Sequence, residues 1–108
     1  MNYVYLIQST ENSYYKIGVS KSPNIRIKQL NTGNPSPTKL IEAYPSEKAY
    51  QIEKILHRMY SHLKIENKEW FDLSIKEEVS FLSECLRIEN NLKFLVDSGN
   101  CFINNINN

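Results

Sequence analysis

Tyr3-Val4-Tyr5-Leu6-Ile7, followed after a polar break by Tyr14-Tyr15-Lys16-Ile17-Gly18-Val19-Ser20, is the stretch from which the rest of the chain can be read. Both runs are rich in tyrosine and β-branched residues, and Thr10-Glu11-Asn12-Ser13 between them is polar and turn-prone, so the segment predicts a β-hairpin. Such a hairpin brings Tyr5 and Lys16 onto neighbouring strands. Gly18 follows, a position where a backbone without Cβ lets another group come close. Taken alone, paired aromatics on a hairpin signify cross-strand packing rather than chemistry.

Outward from the hairpin, 108 residues with 41% hydrophobic content suffice for one domain with a modest core. No run reaches the roughly eighteen apolar residues of a membrane span, and the N-terminus lacks the basic and apolar segments of a signal peptide, so a soluble, cytoplasmic protein is expected. Cys85 and Cys101 stand apart without a CxxC or Cys/His cluster, which points to free thiols rather than zinc or a disulfide framework. The net charge of +1 hides a division. Residues 1–64 hold nine Lys/Arg against four Asp/Glu, a balance of +5; residues 65–108 hold four against eight, a balance of −4. A basic front half suits an anionic partner such as nucleic acid, although solvated surface lysines produce the same count.

Ser22-Pro23 reads as an N-cap followed by proline at the first helical position, and Gly33 as the stop, which predicts a helix over 23–32. Ile27 and Leu30 can face the sheet while Arg26 projects from another side, free to meet a phosphate or simply solvent. Asn34-Pro35-Ser36-Pro37 forces a loop, Lys39–Tyr44 reads as a third strand, and Pro45-Ser46 as the start of a longer helix. In that helix Ala49, Ile52, Leu56, Met59 and Leu63 form one apolar stripe, with Glu53, His57 and Tyr60 along its flank. A carboxylate at such an edge suits a hard cation, yet Glu53 and His57 alone are too few for a dedicated metal site. Trp70, after Glu69, is expected to pack with Phe71 across the end of that helix. From Ser74, the positions Val79, Leu82, Leu86, Leu92 and Leu95 predict a terminal helix with an apolar side, broken near Asn90-Asn91. Ser98-Gly99-Asn100 then ends it before an Asn-rich, frayed tail.

Tyr-Val-Tyr at 3–5, Lys-Ile-Gly at 16–18, Arg26, Glu53 with Leu56-His57, and Glu69-Trp70-Phe71 follow in an order that resembles the GIY-YIG nuclease superfamily, in particular its short branch with a KIG second motif and an EWF triplet. The resemblance covers residues 3–73. Tyr3 stands where the first motif has its glycine, and Asn67 lies near the place of the family's late asparagine. The resemblance implies an α+β fold, a small three-stranded antiparallel sheet flanked by helices over 1–73; beyond it the apolar pattern adds a C-terminal helical extension over 74–97 packed on the same domain, and the Asn-rich composition a frayed tail over 98–108. It implies a metal-dependent endonuclease with one Mg²⁺ (or Mn²⁺) per site, acting on nucleic acid, most readily DNA, with low sequence specificity. The apolar side of the terminal helix, Val79, Leu82 and Leu86, is expected to cover the domain's own core, which points to a monomer or weak homodimer, and no membrane partner is expected. By position, Tyr5, Lys16, Arg26 and His57 are then the catalytic residues, Glu53 the metal ligand, and Tyr15, Gly18, Lys21 and Lys28 the substrate-binding residues. A phenol is a poor base at neutral pH, so Tyr5 needs a cation such as Lys16 beside it, while Arg26 and the metal ion neutralise phosphoryl charge. A nucleic-acid-binding module without turnover and a protein-interaction domain are the alternative readings.

Overall fold

The computed structural model describes residues 1–33, 37–65 and 69–97, so Asn34-Pro35-Ser36 of the expected loop, Asn67, Cys101 and the expected tail over 98–108 lie outside the described residues. The hairpin forms as β1 (Asn2–Ser9) and β2 (Tyr15–Ser20), antiparallel, with Tyr5 opposite Gly18 and Ile7 opposite Lys16. Its turn is set by Asn12, whose Oδ1 accepts from Tyr14 N–H at 3.0 Å, and by Ser13 in the left-handed region at φ 64°.

Helix α1 (Pro23–Asn31) begins on its proline as expected, and Gly33 leaves it at φ 68°. Ser22 sits at the N-cap but makes no side-chain cap bond, so the proline alone carries the start signal. The third strand, β3 (Thr38–Ser46), outlasts its expected span. Pro45 and Ser46 are its last residues, opposite Tyr3 and Asn2, rather than a helix start, and helix α2 runs Ala49–Met59. A proline is tolerated there because β3 is an outer strand. A short 3₁₀ turn (Ser61–Leu63) leads to a fourth strand, β4 (Trp70–Phe71). The sheet is therefore four-stranded and antiparallel, in the order β3-β1-β2-β4, not three-stranded. Trp70 and Phe71 pair with Lys16 and Tyr15, and the Phe71 ring packs edge-on against His57 and Tyr60 at the end of α2, as expected of this pair of aromatics.

Central β1 is buried from Val4 to Ile7 without alternation, the mark of a strand covered on both faces. On one face Val4, Leu6, Tyr15 and Ile17 meet Ala49, Ile52 and Leu56 of α2, which confirms the first three members of that stripe. On the other face Tyr5 and Ile7 are buried, with α1 packed against β3 and β2 through half-buried Ile27 and Leu30.

The C-terminal segment departs further from expectation. Ser74 forms a capping box with Glu77 and opens a short helix α3 (Ile75–Val79); the chain turns at Ser80, and α4 (Phe81–Asp97) continues unbroken through Asn90-Asn91. Phe81, Cys85 and Ile88 enter the core, with Leu92 against it, whereas Val79, Leu82 and Leu86 are exposed. Two stripes with helical spacing compete in this sequence, and the one that carries the large Phe81 ring wins the buried side. Among the described residues no helix is long and apolar enough to cross a membrane.

Candidate active site

The site forms because β4 is too short to cover its neighbour. It pairs only with Tyr15 and Lys16, so the outer edge of β2 from Ile17 onward is left to other groups. α2 fills part of the gap: His57 Nε2–H donates to the Ile17 carbonyl at 2.9 Å, and its ring meets Phe71 edge-on with centroids 5.2 Å apart. That bond places the proton on Nε2, satisfies an edge carbonyl and fixes the height of α2 against β2. One helical turn earlier, Glu53 reaches the same edge.

Tyr5 arrives from the central strand. A Cβ on Gly18 would overlap the Tyr5 hydroxyl and Cζ, so the group that the missing side chain admits is the tyrosine ring itself, lying across the neighbouring strand. Lys16 stands on the same face two residues earlier in β2, and α1 contributes the exposed guanidinium of Arg26. Tyr5, Lys16, Gly18, Arg26, Glu53 and His57 thus line one cleft of about 550 Å³, together with Ile17, Val19, Lys64 and Glu69.

The electrostatics are mixed. Burial pushes the Glu53 carboxyl above the ordinary carboxylate range, with His57 pulling partly the other way, and Glu53 has no hydrogen-bond or ion-pair partner among the described residues. Glu69 carries the opposite shift: its hydrogen bond and ion pair to Lys16 Nζ, at 2.7 Å, hold it low, helped by the charges of His57 and Arg26. Glu69 is the site residue that the sequence reading missed. No local signal marks it: the pairing of Trp70 with Lys16 sets the preceding residue beside the lysine, and that pairing joins residues far apart in the chain.

Three expected substrate-binding residues stand elsewhere. Tyr15 is buried on the core face; its hydroxyl donates to Glu78 Oε1 at 2.5 Å, and burial together with that carboxylate pushes its pKa up to about 12. Lys21 lines a separate cleft beside Tyr3, because it follows the end of β2 rather than its edge. Lys28 is two residues past Arg26, about 200° round α1, and points away from the cleft.

Among the described residues no group of three or more His, Cys, Asp or Glu could hold a metal ion; of the two carboxylates that line the cleft, Glu69 is paired with Lys16 and Glu53 is the one left open to a cation. Such a set does not suit zinc or calcium. It does fit Mg²⁺, which keeps several waters and takes one or two carboxylates plus substrate phosphate oxygens.

No curated protein and no solved structure matches the chain. A family model does, over residues 2–92, and it is that of the T5orf172 domain and not one of the GIY-YIG superfamily, which corrects the family expected from the order of the motifs. The match runs through the hairpin, the cleft and most of α4, and the chain belongs to the T5orf172 domain family.

Proposed function

We propose that the cleft hydrolyses phosphodiester bonds of nucleic acid, DNA in the first instance, with one Mg²⁺ or Mn²⁺ at Glu53 and little intrinsic sequence specificity. The observation that carries this reading is the convergence of Tyr5, Lys16, Arg26, Glu53 and His57, from four different elements, on one cleft where cations face a half-buried carboxylate. A packed core or a solvated surface has no need of that arrangement.

Each side chain then has a task. Arg26 binds non-bridging phosphate oxygens and offsets the charge that builds on them, the largest contribution such a site makes. Lys16, next to Tyr5 on the same sheet face, adds a second positive charge. The Tyr5 hydroxyl, held over Gly18, orients the attacking water, whose proton passes through it to bulk solvent while the P–O bond to the leaving oxygen breaks and that oxygen departs with the electron pair. Glu53 binds the metal ion, which when bound supplies Lewis-acid polarisation of the phosphate. His57 acts as a positioning residue, since its hydrogen bond to Ile17 fixes the helix that carries Glu53.

The test uses purified protein with labelled single- and double-stranded DNA and RNA in Mg²⁺, Mn²⁺ or EDTA. Cleavage is expected with either metal and not in EDTA. Glu53→Ala is expected to abolish it with the circular-dichroism spectrum unchanged, and Arg26→Ala to slow turnover by about 10²-fold or more. Full activity of Glu53→Ala in Mg²⁺ would remove the metal assignment and with it this reading.

A further inference from the structure

A second cleft, of about 420 Å³, opens at the start of α1. Tyr3 forms one wall; Leu40 and Ala43 of β3 and the 57%-exposed Ile25 supply apolar surface, and Lys21 supplies a cation at the rim. Among the described residues no carboxylate lines it. From this chemistry and its placement we infer that the Tyr3 cleft is a subsite for an unpaired nucleobase, next to the phosphate handled at Tyr5 and Arg26. The inference rests on the nuclease reading and adds a substrate class to it: single strands or unpaired ends, not intact duplex.

Placement carries the step. Tyr3 and Tyr5 are two residues apart on β1 and so share one face of the sheet, about 6.8 Å apart along the strand. Ser22 and Pro23, which border the Tyr3 cleft, lie four and three residues before Arg26 and share its side of α1. A nucleic-acid strand with its phosphate between Arg26 and Tyr5 therefore delivers a neighbouring nucleotide towards Tyr3.

The lining chooses the ligand. An aromatic ring with apolar surface opposite it accepts the flat face of any base, and the adjacent lysine meets the phosphate that follows, which is the common pattern of sequence-tolerant single-strand binding. A base within a duplex is already paired and stacked, and drawing it out costs a few kcal/mol. Strandedness is thus read at Tyr3, while the chemistry belongs to the other cleft.

The experiment measures binding apart from cleavage. Oligonucleotides carrying 2-aminopurine, single-stranded DNA, single-stranded RNA and duplex DNA, are titrated with the Glu53→Ala protein, and the quenching of the analogue on stacking is followed. Single strands are expected to bind with quenching and duplex without it. Adding Tyr3→Leu should weaken single-strand binding roughly 5- to 150-fold and abolish the quench, whereas Tyr3→Phe retains both. Lys21→Ala, an exposed change that leaves the fold alone, should lower the salt slope by about one. Equal single-strand binding and quench in Tyr3→Leu, or equal quench with duplex, would overturn the subsite. A Tyr3-dependent quench with no cleavage by wild-type protein in Mg²⁺ would instead leave the subsite standing and overturn the nuclease reading.

Discussion

At Gly18 a backbone and a side chain compete for one volume, and the absence of a Cβ settles the contest for the Tyr5 ring. The sequence reading found both residues and the need for close approach; it did not pair them, because cross-strand register depends on the turn geometry. Gly18→Ala is accordingly expected to displace Tyr5 and reduce cleavage far more than it reduces stability. Glu69 gives a sharper test at this scale. Its carboxylate occupies Lys16 in the free protein, yet it is exposed, so the pair adds little to stability, about 0.2–1 kcal/mol for such contacts. Because its carboxyl is held low, the pair persists as pH falls through the ordinary carboxylate range and breaks only below it. At neutral pH a phosphate must therefore displace Glu69 to reach Lys16. Glu69→Gln is expected to tighten nucleic-acid binding and steepen its salt dependence by about one charge, with the melting temperature nearly unchanged. Weaker binding with a flatter salt dependence would show that Glu69 presents Lys16 and does not compete for it.

Elements whose signals are local were legible: the hairpin, the proline start and glycine stop of α1, and the apolar stripe of α2 all rest on residues a few positions apart. β4 was not legible, since two residues carry no periodicity and their partner strand lies far back in the chain. The buried face of α4 was misread because the turn at Ser80 resets the helical phase, so positions counted from Val79 fall on the outer side. This yields a paired prediction. Phe81→Ala should cost about 3–5 kcal/mol of stability as a fully buried ring, and Leu82→Ala, one residue on, less than about 0.5 kcal/mol, both read from urea denaturation. Elements are also joined by two phenols. Tyr15 of β2 donates to Glu78 of α3; Tyr44 of β3 donates to Glu89 of α4 at 2.8 Å, where Ser46 also bonds. Burial and the facing carboxylates push both tyrosines up to about 12. A raised phenol contributes stability that is complete below its ordinary value near 10 and is lost as pH rises through about 12. Ultraviolet titration should thus find that Tyr15 and Tyr44 ionise only as the protein unfolds in alkali. Ionisation of these two near 10 with the fold intact would remove these links.

For the molecule as a whole, the expectation of a monomer or weak dimer began from Val79, Leu82 and Leu86 as a buried stripe, and they are exposed, with Ile75 beside them on α3. Four exposed aliphatic side chains, even with the exposed Phe94 added, are few, whereas a stable interface takes about 20–30 residues and about 800 Å² from each partner. The core, meanwhile, is closed within one chain by Phe81, Cys85 and Ile88. All six cleft residues with proposed roles, Tyr5, Lys16, Gly18, Arg26, Glu53 and His57, also come from a single chain, so the site is complete without a second copy. One cleft with one proposed metal cuts one strand per encounter, and double-strand breaks then require two separate events. On supercoiled plasmid the nicked circle is therefore expected to accumulate before linear product, at concentrations where light scattering reports the monomer mass. A tight dimer that linearises plasmid without a nicked intermediate would assign the Ile75, Val79, Leu82 and Leu86 face to an interface and pair two clefts across it.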